Sequence, residues 1–138
     1  METKKILIGT LIAGVAMFFL GWLIYGIALA GFMEANCDHS SARPMEEMIW
    51  WAMIASNFIW GLLLTLILNW SGSFTASAGA KIGAIVGLLC GLGFDLGMYS
   101  MTTIFSSPTV LIVDSLAYVV MFSITGALTA LVMSKVKA

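Results

Sequence analysis

Apolar residues run in long unbroken stretches rather than in alternation with polar ones. Four such stretches occupy residues 6–33, 48–68, 80–104 and 110–133. Each holds the roughly 20 residues that a helix needs to cross about 30 Å of hydrocarbon. Transmembrane strands need only about 9–11 residues and alternate apolar with polar, which these stretches do not. In lipid a helix satisfies its own backbone hydrogen bonds, so the pattern predicts four helices. Polar segments 34–45 and 69–79 and a turn at Ser106-Ser107-Pro108 join them. The expected fold is all-α, an integral membrane four-helix bundle in antiparallel up-down order, with residues 1–138 forming one domain.

The boundaries carry local chemistry. Pro44 and Pro108 suit the first turn of a helix, where a missing N–H costs nothing. Ser107 is placed to cap the fourth helix, and Ser73 or Ser77 the third. Glu46 and Glu47 fall in the expected first turn of helix two, where the helix dipole favours negative charge.

Composition sharpens the class. Apolar residues make up 61% of the chain and charged residues 9%, against roughly 45–50% and 25% in an ordinary soluble domain. A soluble globular enzyme and a disordered chain are excluded. Six Lys+Arg against seven Asp+Glu make no basic face for nucleic acid. Lys4, Lys5, Lys81, Lys135 and Lys137 share one side of the expected topology, and Arg43 stands alone on the other. The positive-inside rule then predicts cytoplasmic termini, and Glu34, Asp38, Glu46 and Glu47 at the outer surface. Lys4-Lys5 and Ala28-Leu29-Ala30 also resemble the ends of a signal peptide. The apolar stretch of about 22 residues exceeds the roughly 7–15 of a signal core, so it reads as an uncleaved anchor.

Within the third span, Gly79, Gly83, Gly87 and Gly91 recur at steps of four, and the row continues through Asp95, Tyr99 and Thr103. Glycines so spaced clear one stripe of a helix for a close neighbour. Two readings stand: packing within the bundle, or the seam of a homodimer or of a partner membrane protein. Either way the row carries Asp95 to a protein-facing surface. An aspartate near the bilayer centre costs roughly 2.5–3.5 kcal/mol on insertion scales and is a functional candidate by default. Asp114 in the fourth span is the second. Counted from the turn that joins their helices, both lie roughly 9–17 Å below the outer surface at 1.5 Å per residue.

Tyr99 follows Asp95 by four residues and Tyr118 follows Asp114 by four, which puts each pair on one helix face. Asn57 with Ser56 in the second span and Tyr25 in the first lie at comparable depth. The candidate ligand-binding set is therefore Asp95, Asp114, Tyr99, Tyr118, Asn57 and Tyr25. No Lys or Arg lies at that depth. Acids so placed either keep a proton or hold a cation. The plainer alternatives are that Asp95 is polar glue between helices and that Asp114 sits in water at a helix start.

Other features add less. Glu34, Cys37, Asp38 and His39 are metal-ligand types in a polar loop, but their spacing fits no zinc pattern, and a solvated loop is the simpler reading. One histidine makes bis-His haem ligation within a single chain impossible. Cys37 and Cys90 are expected at different depths and unpaired. Trp50, Trp51 and Trp70 fit an aromatic belt at span ends, whereas Trp22 and Trp60 lie deeper. No Walker loop, zinc-protease motif or nucleophile elbow is present, and nothing specifies a cofactor. An offset of 65 aligns Gly14 with Gly79, Gly26 with Gly91, and Gly61 with Gly126, the pattern of a parallel two-plus-two repeat.

The segments Gly21-Trp22-Leu23-Ile24-Tyr25-Gly26, Met48-Ile49-Trp50-Trp51-Ala52 and Gly93-Phe94-Asp95-Leu96-Gly97-Met98-Tyr99 resemble small four-span inner-membrane proteins of bacteria, especially Bacteroidetes-type ones. The resemblance covers most of the chain. It implies the fold and an inner-membrane location, and it brings no catalytic residues. Three functions fit the sequence. One is a carrier, channel or receptor holding a small cation, proton or polar solute in an acidic cavity of the outer half. Another is a structural or accessory subunit packing through the glycine face. The third is a membrane enzyme acting on lipid or quinone, with the aspartates and tyrosines as acid–base groups.

Overall fold

The computed structural model describes residues 2–40 and 42–136, and within that range no side-chain placement is given for Met45. Lys137, grouped above with the cytoplasmic lysines, lies outside the described residues. Helix α1 spans Glu2–Leu23 and passes into a π-helical segment, Ile24–Ala28; a short α2 follows at Ala30–Asn36. Helix α3 spans Trp50–Ser71, α4 Ala76–Met101 and α5 Pro108–Ser134. Among the described residues four helical stretches are long and apolar enough to cross a membrane: Glu2–Ala28, Trp50–Ser71, Ala76–Met101 and Pro108–Ser134. The chain is a polytopic membrane protein.

Several boundaries differ from the sequence expectation. The first apolar stretch is not one continuous helix to residue 33. The Leu29 N–H donates to the Ile24 carbonyl at 2.7 Å, an i to i+5 closure that widens the turn, and α2 then starts separately. Such wide turns concentrate at functional sites, and this one carries Tyr25. Pro44 does not open α3. It precedes a 3-10 turn at Met45–Glu47, so Glu46 and Glu47 lie outside the first turn of α3, which begins at Trp50. Thr75, rather than Ser73 or Ser77, caps α4: its Oγ1 accepts from the Ala78 N–H at 3.1 Å. Ser107 occupies the cap position of α5, but its side chain makes no capping bond.

Helix α5 is the central element. It packs against α4 on one side and α1 on the other, while α3 packs chiefly on α1. Its buried residues run almost from end to end, from Val110 to Met133. A Cβ added at Gly9 would meet Thr65 and Met133, so the start of α1 lies beside the ends of α3 and α5. Lys5 extends the same end, its ammonium 4.4 Å from the ring centre of Phe74.

The glycine row settles against α5 of the same chain. Gly79 faces Gly126 and Ala130, Gly83 faces the Phe122 backbone, Gly87 faces the Tyr118 carbonyl, and Gly91 faces the Tyr118 side chain. The α1–α3 crossing uses the same device, because a Cβ on Gly61 would stand 2.7 Å from the Gly14 nitrogen. The offset of 65 carries the contacting pair Gly14–Gly61 onto the contacting pair Gly79–Gly126. Gly26 and Gly91 are not alike: Gly26 is exposed in the π-helical segment and Gly91 is buried.

Candidate functional site: a buried carboxyl pair behind an aromatic cleft

The glycine row fixes where the acids sit. With no side chains in its way, α5 lies close against α4, and the next residue along the row is Asp95. It is 1% exposed. Asp114, in the second turn of α5, is 8% exposed. The two carboxyl groups stand within hydrogen-bonding reach of each other. Ser115, the neighbour of Asp114 on α5, donates its hydroxyl to Asp95 Oδ2 at 3.4 Å. The Tyr25 hydroxyl donates to Asp114 Oδ1 at 2.6 Å. Asp95 Oδ1 is buried and has no donor among the described residues.

Two ionised carboxylates at this range repel strongly in a medium of low dielectric. Each offers acceptors only. A proton on one of them would supply a donor, and a proton or a cation between them would remove the repulsion.

Tyr25 links the pair to open space. Its ring lines a cleft of about 830 Å³ between α1, α3 and α5. Trp22, Trp50, Trp60, Tyr118 and Met53 form much of the wall, and Ser56 and Asn57 are among its polar positions. The edge-to-face pair Trp60–Phe122, with ring centres 6.0 Å apart, ties the wall to α5. Neither aspartate lines the cleft, so the void is mainly apolar and aromatic rather than acidic, with the acids one side chain behind it.

The sequence candidates therefore separate. Asp95, Asp114 and Tyr25 are joined through carboxyl contact and hydrogen bonding. Tyr118 is half-buried beside them and lines the cleft. Asn57 also lines the cleft, its Nδ2 donating to the Met53 carbonyl at 2.9 Å, but it does not reach the acids. Tyr99 is 39% exposed and stands apart from the pair. Ser115 was not singled out by the sequence reading; a hydroxyl adjacent to a membrane-buried acid was the available signal.

Comparison of the chain with protein-family models, with curated proteins and with solved structures finds no match.

The segments that follow α2 and α4 are tied together. The Asp38 N–H donates to the Ile104 carbonyl at 2.7 Å and the Ser106 N–H to the Asn36 carbonyl at 3.1 Å. Asp38 Oδ2 accepts from the Thr103 hydroxyl at 3.0 Å, and Oδ1 accepts from the Ser40 N–H at 2.9 Å. His39 lies with its Nε2 3.2 Å from the Met33 carbonyl oxygen. Among the described residues no three His, Cys, Asp or Glu side chains gather as a metal site. Burial, and secondarily the field of Asp114 and Asp95, pushes the Cys37 thiol above its ordinary value.

Hydrogen bonds to Ser40, first from its backbone, and then to Thr103 hold the Asp38 carboxyl below its ordinary value. A carboxyl depressed in the fold contributes stability above its unfolded pKa and loses it as pH falls through the folded one. The Ser40 amide should therefore keep its hydrogen-exchange protection factor near neutrality and lose it in acid below the ordinary carboxylate range. Thr103→Val should lower that factor a few-fold at neutral pH. Protection that is independent of pH and of Thr103 would show that Asp38 does not hold the loop.

Proposed function

We propose that this membrane protein binds and exchanges a proton or small cation at the Asp95–Asp114 pair, and that Tyr25 couples the pair to occupation of the adjacent cleft. The observation that carries the reading is the pair itself: two buried carboxyls from different helices, with no basic side chain among the described residues to neutralise them and one acceptor unfilled. Buried acids of this kind are expensive in a membrane and are kept where they act. An accessory role through a free glycine face draws less support, since the row is covered by α5 of the same chain. In this reading the pair belongs to the outer half of an inner-membrane protein with cytoplasmic termini, as the lysine distribution favours.

Potentiometric titration of the purified protein in detergent tests the reading. The wild type should bind one proton that the Asp95→Asn/Asp114→Asn double variant does not, and added salt should displace it if a small cation competes. Superimposable titration curves for the two proteins would refute the exchange site.

A further inference from the structure

We infer that the cleft between α1, α3 and α5 takes a hydrophobic organic cation, an amine or an onium ion, as its ligand. This rests on the exchange site proposed above and adds the chemical class of what occupies the space beside it. The cleft has the size of a site for a drug-sized molecule, about 830 Å³, in a range that runs from roughly 300 to 1,000 Å³. Its walls are mostly aromatic and methionine side chains, which offer apolar area and π faces that attract cations. Among the described residues no Lys, Arg or His lines it.

The charge placed closest to the cleft is negative. Asp114 stands directly behind Tyr25, at 2.6 Å from its hydroxyl, with Asp95 beside it. Met48 lines the cleft and directly follows the exposed Glu46 and Glu47 in a connection that also carries the exposed Arg43. An organic anion would meet repulsion from Asp114 behind Tyr25. A bare metal ion would find too few oxygen ligands in an apolar wall. A hydrophobic cation satisfies all of these features. Asn57, whose Nδ2 is already bonded to Met53, leaves its carbonyl oxygen for an N–H of an amine. Trp22 is 59% exposed and Trp60 38%, so the cleft opens sideways at the lipid-facing surface, the route an amphiphile would take.

The test compares two ions of the same shape and opposite charge, tetraphenylphosphonium and tetraphenylborate. Binding to the full chain in detergent is measured by equilibrium dialysis, corrected for partition into empty micelles. Quenching of tryptophan fluorescence serves as the second readout, because Trp22, Trp50 and Trp60 line the cleft. The phosphonium should bind saturably with quenching, and the borate at least about tenfold more weakly, a difference of about 1.4 kcal/mol. Asp114→Asn should weaken the phosphonium by about tenfold, and Tyr25→Phe, which keeps the ring, should weaken it less.

Equal binding of both ions would make the cleft a neutral apolar groove filled by lipid and would overturn the inference. So would saturable binding of neither ion, or phosphonium affinity unchanged in a folded Asp114→Asn protein. If the phosphonium fails while the proton titration still distinguishes the double variant, only the ligand class falls. If the titration fails, the exchange site falls whatever the cleft binds.

Discussion

A leucine in place of Gly83 is expected to part α4 from α5 and leave little folded protein. The space that its Cβ needs is filled by the Phe122 carbonyl and by Ser123 backbone, and backbone cannot turn aside as a flexible side chain can. Overpacking a tight seam costs typically about 1–3 kcal/mol and occasionally more. Leucine adds four carbons at a point where even one is obstructed, so the upper end applies. A thermal melt in detergent should show the transition lost or lowered by many degrees, and Gly83→Ala should lie between the two. Gly93→Ala on the same helix, where nothing lies within 4 Å of an added Cβ, should melt like the wild type. Equal melting of Gly83→Leu and wild type would mean that α4 and α5 are not in the described contact.

The second large effect concerns the acids, and the sign differs between them. Asp114→Ala removes the acceptor of the Tyr25 hydroxyl and the partner of Asp95 together. Leaving buried polar groups unpaired costs about 1–3 kcal/mol each, so this variant should be clearly destabilised. Asp95→Asn replaces an acceptor by an amide whose N–H can donate to Asp114. It removes the need for a proton or cation between the two and should leave stability unchanged or raise it. Chemical or thermal unfolding in detergent reads both. A destabilised Asp95→Asn alongside a stable Asp114→Ala would reverse the roles assigned to the two residues.

Much of this arrangement was legible in the sequence because two strong constraints act on it. Hydrocarbon demands long apolar helices, which made the four spans readable. Close helix packing demands small residues, which made the Gly79–Gly91 row and the burial of Asp95 readable. Other features follow from tertiary geometry that spacing does not encode. The widened turn at Ile24–Ala28 occurs in a sequence as apolar as its surroundings, with no proline to mark it. The loss of Tyr99 from the row depends on where α5 crosses α4. The separation of the aromatic void from the acids depends on the π-helical turn that sets Tyr25 between them. The cap at Thr75 was missed because Ser73, Thr75 and Ser77 are equivalent by chemistry, and only the backbone distinguishes them.

The account stands most directly on the claim that Asp95 and Asp114 hold one proton or cation in common. Infrared spectroscopy of the purified protein reads this through the C=O stretch of a protonated carboxyl, which shifts on deuteration and is absent from a carboxylate. If a proton is held in common, wild-type protein in salt-poor buffer should show one such band, and Asp95→Asn and Asp114→Asn should each abolish or shift it. Raising the concentration of a bound cation should remove the band from the wild type without unfolding it. A carboxyl band unaffected by one of the two substitutions would mean that a single isolated acid carries the proton. Absence of the band at every salt concentration would contradict the shared site.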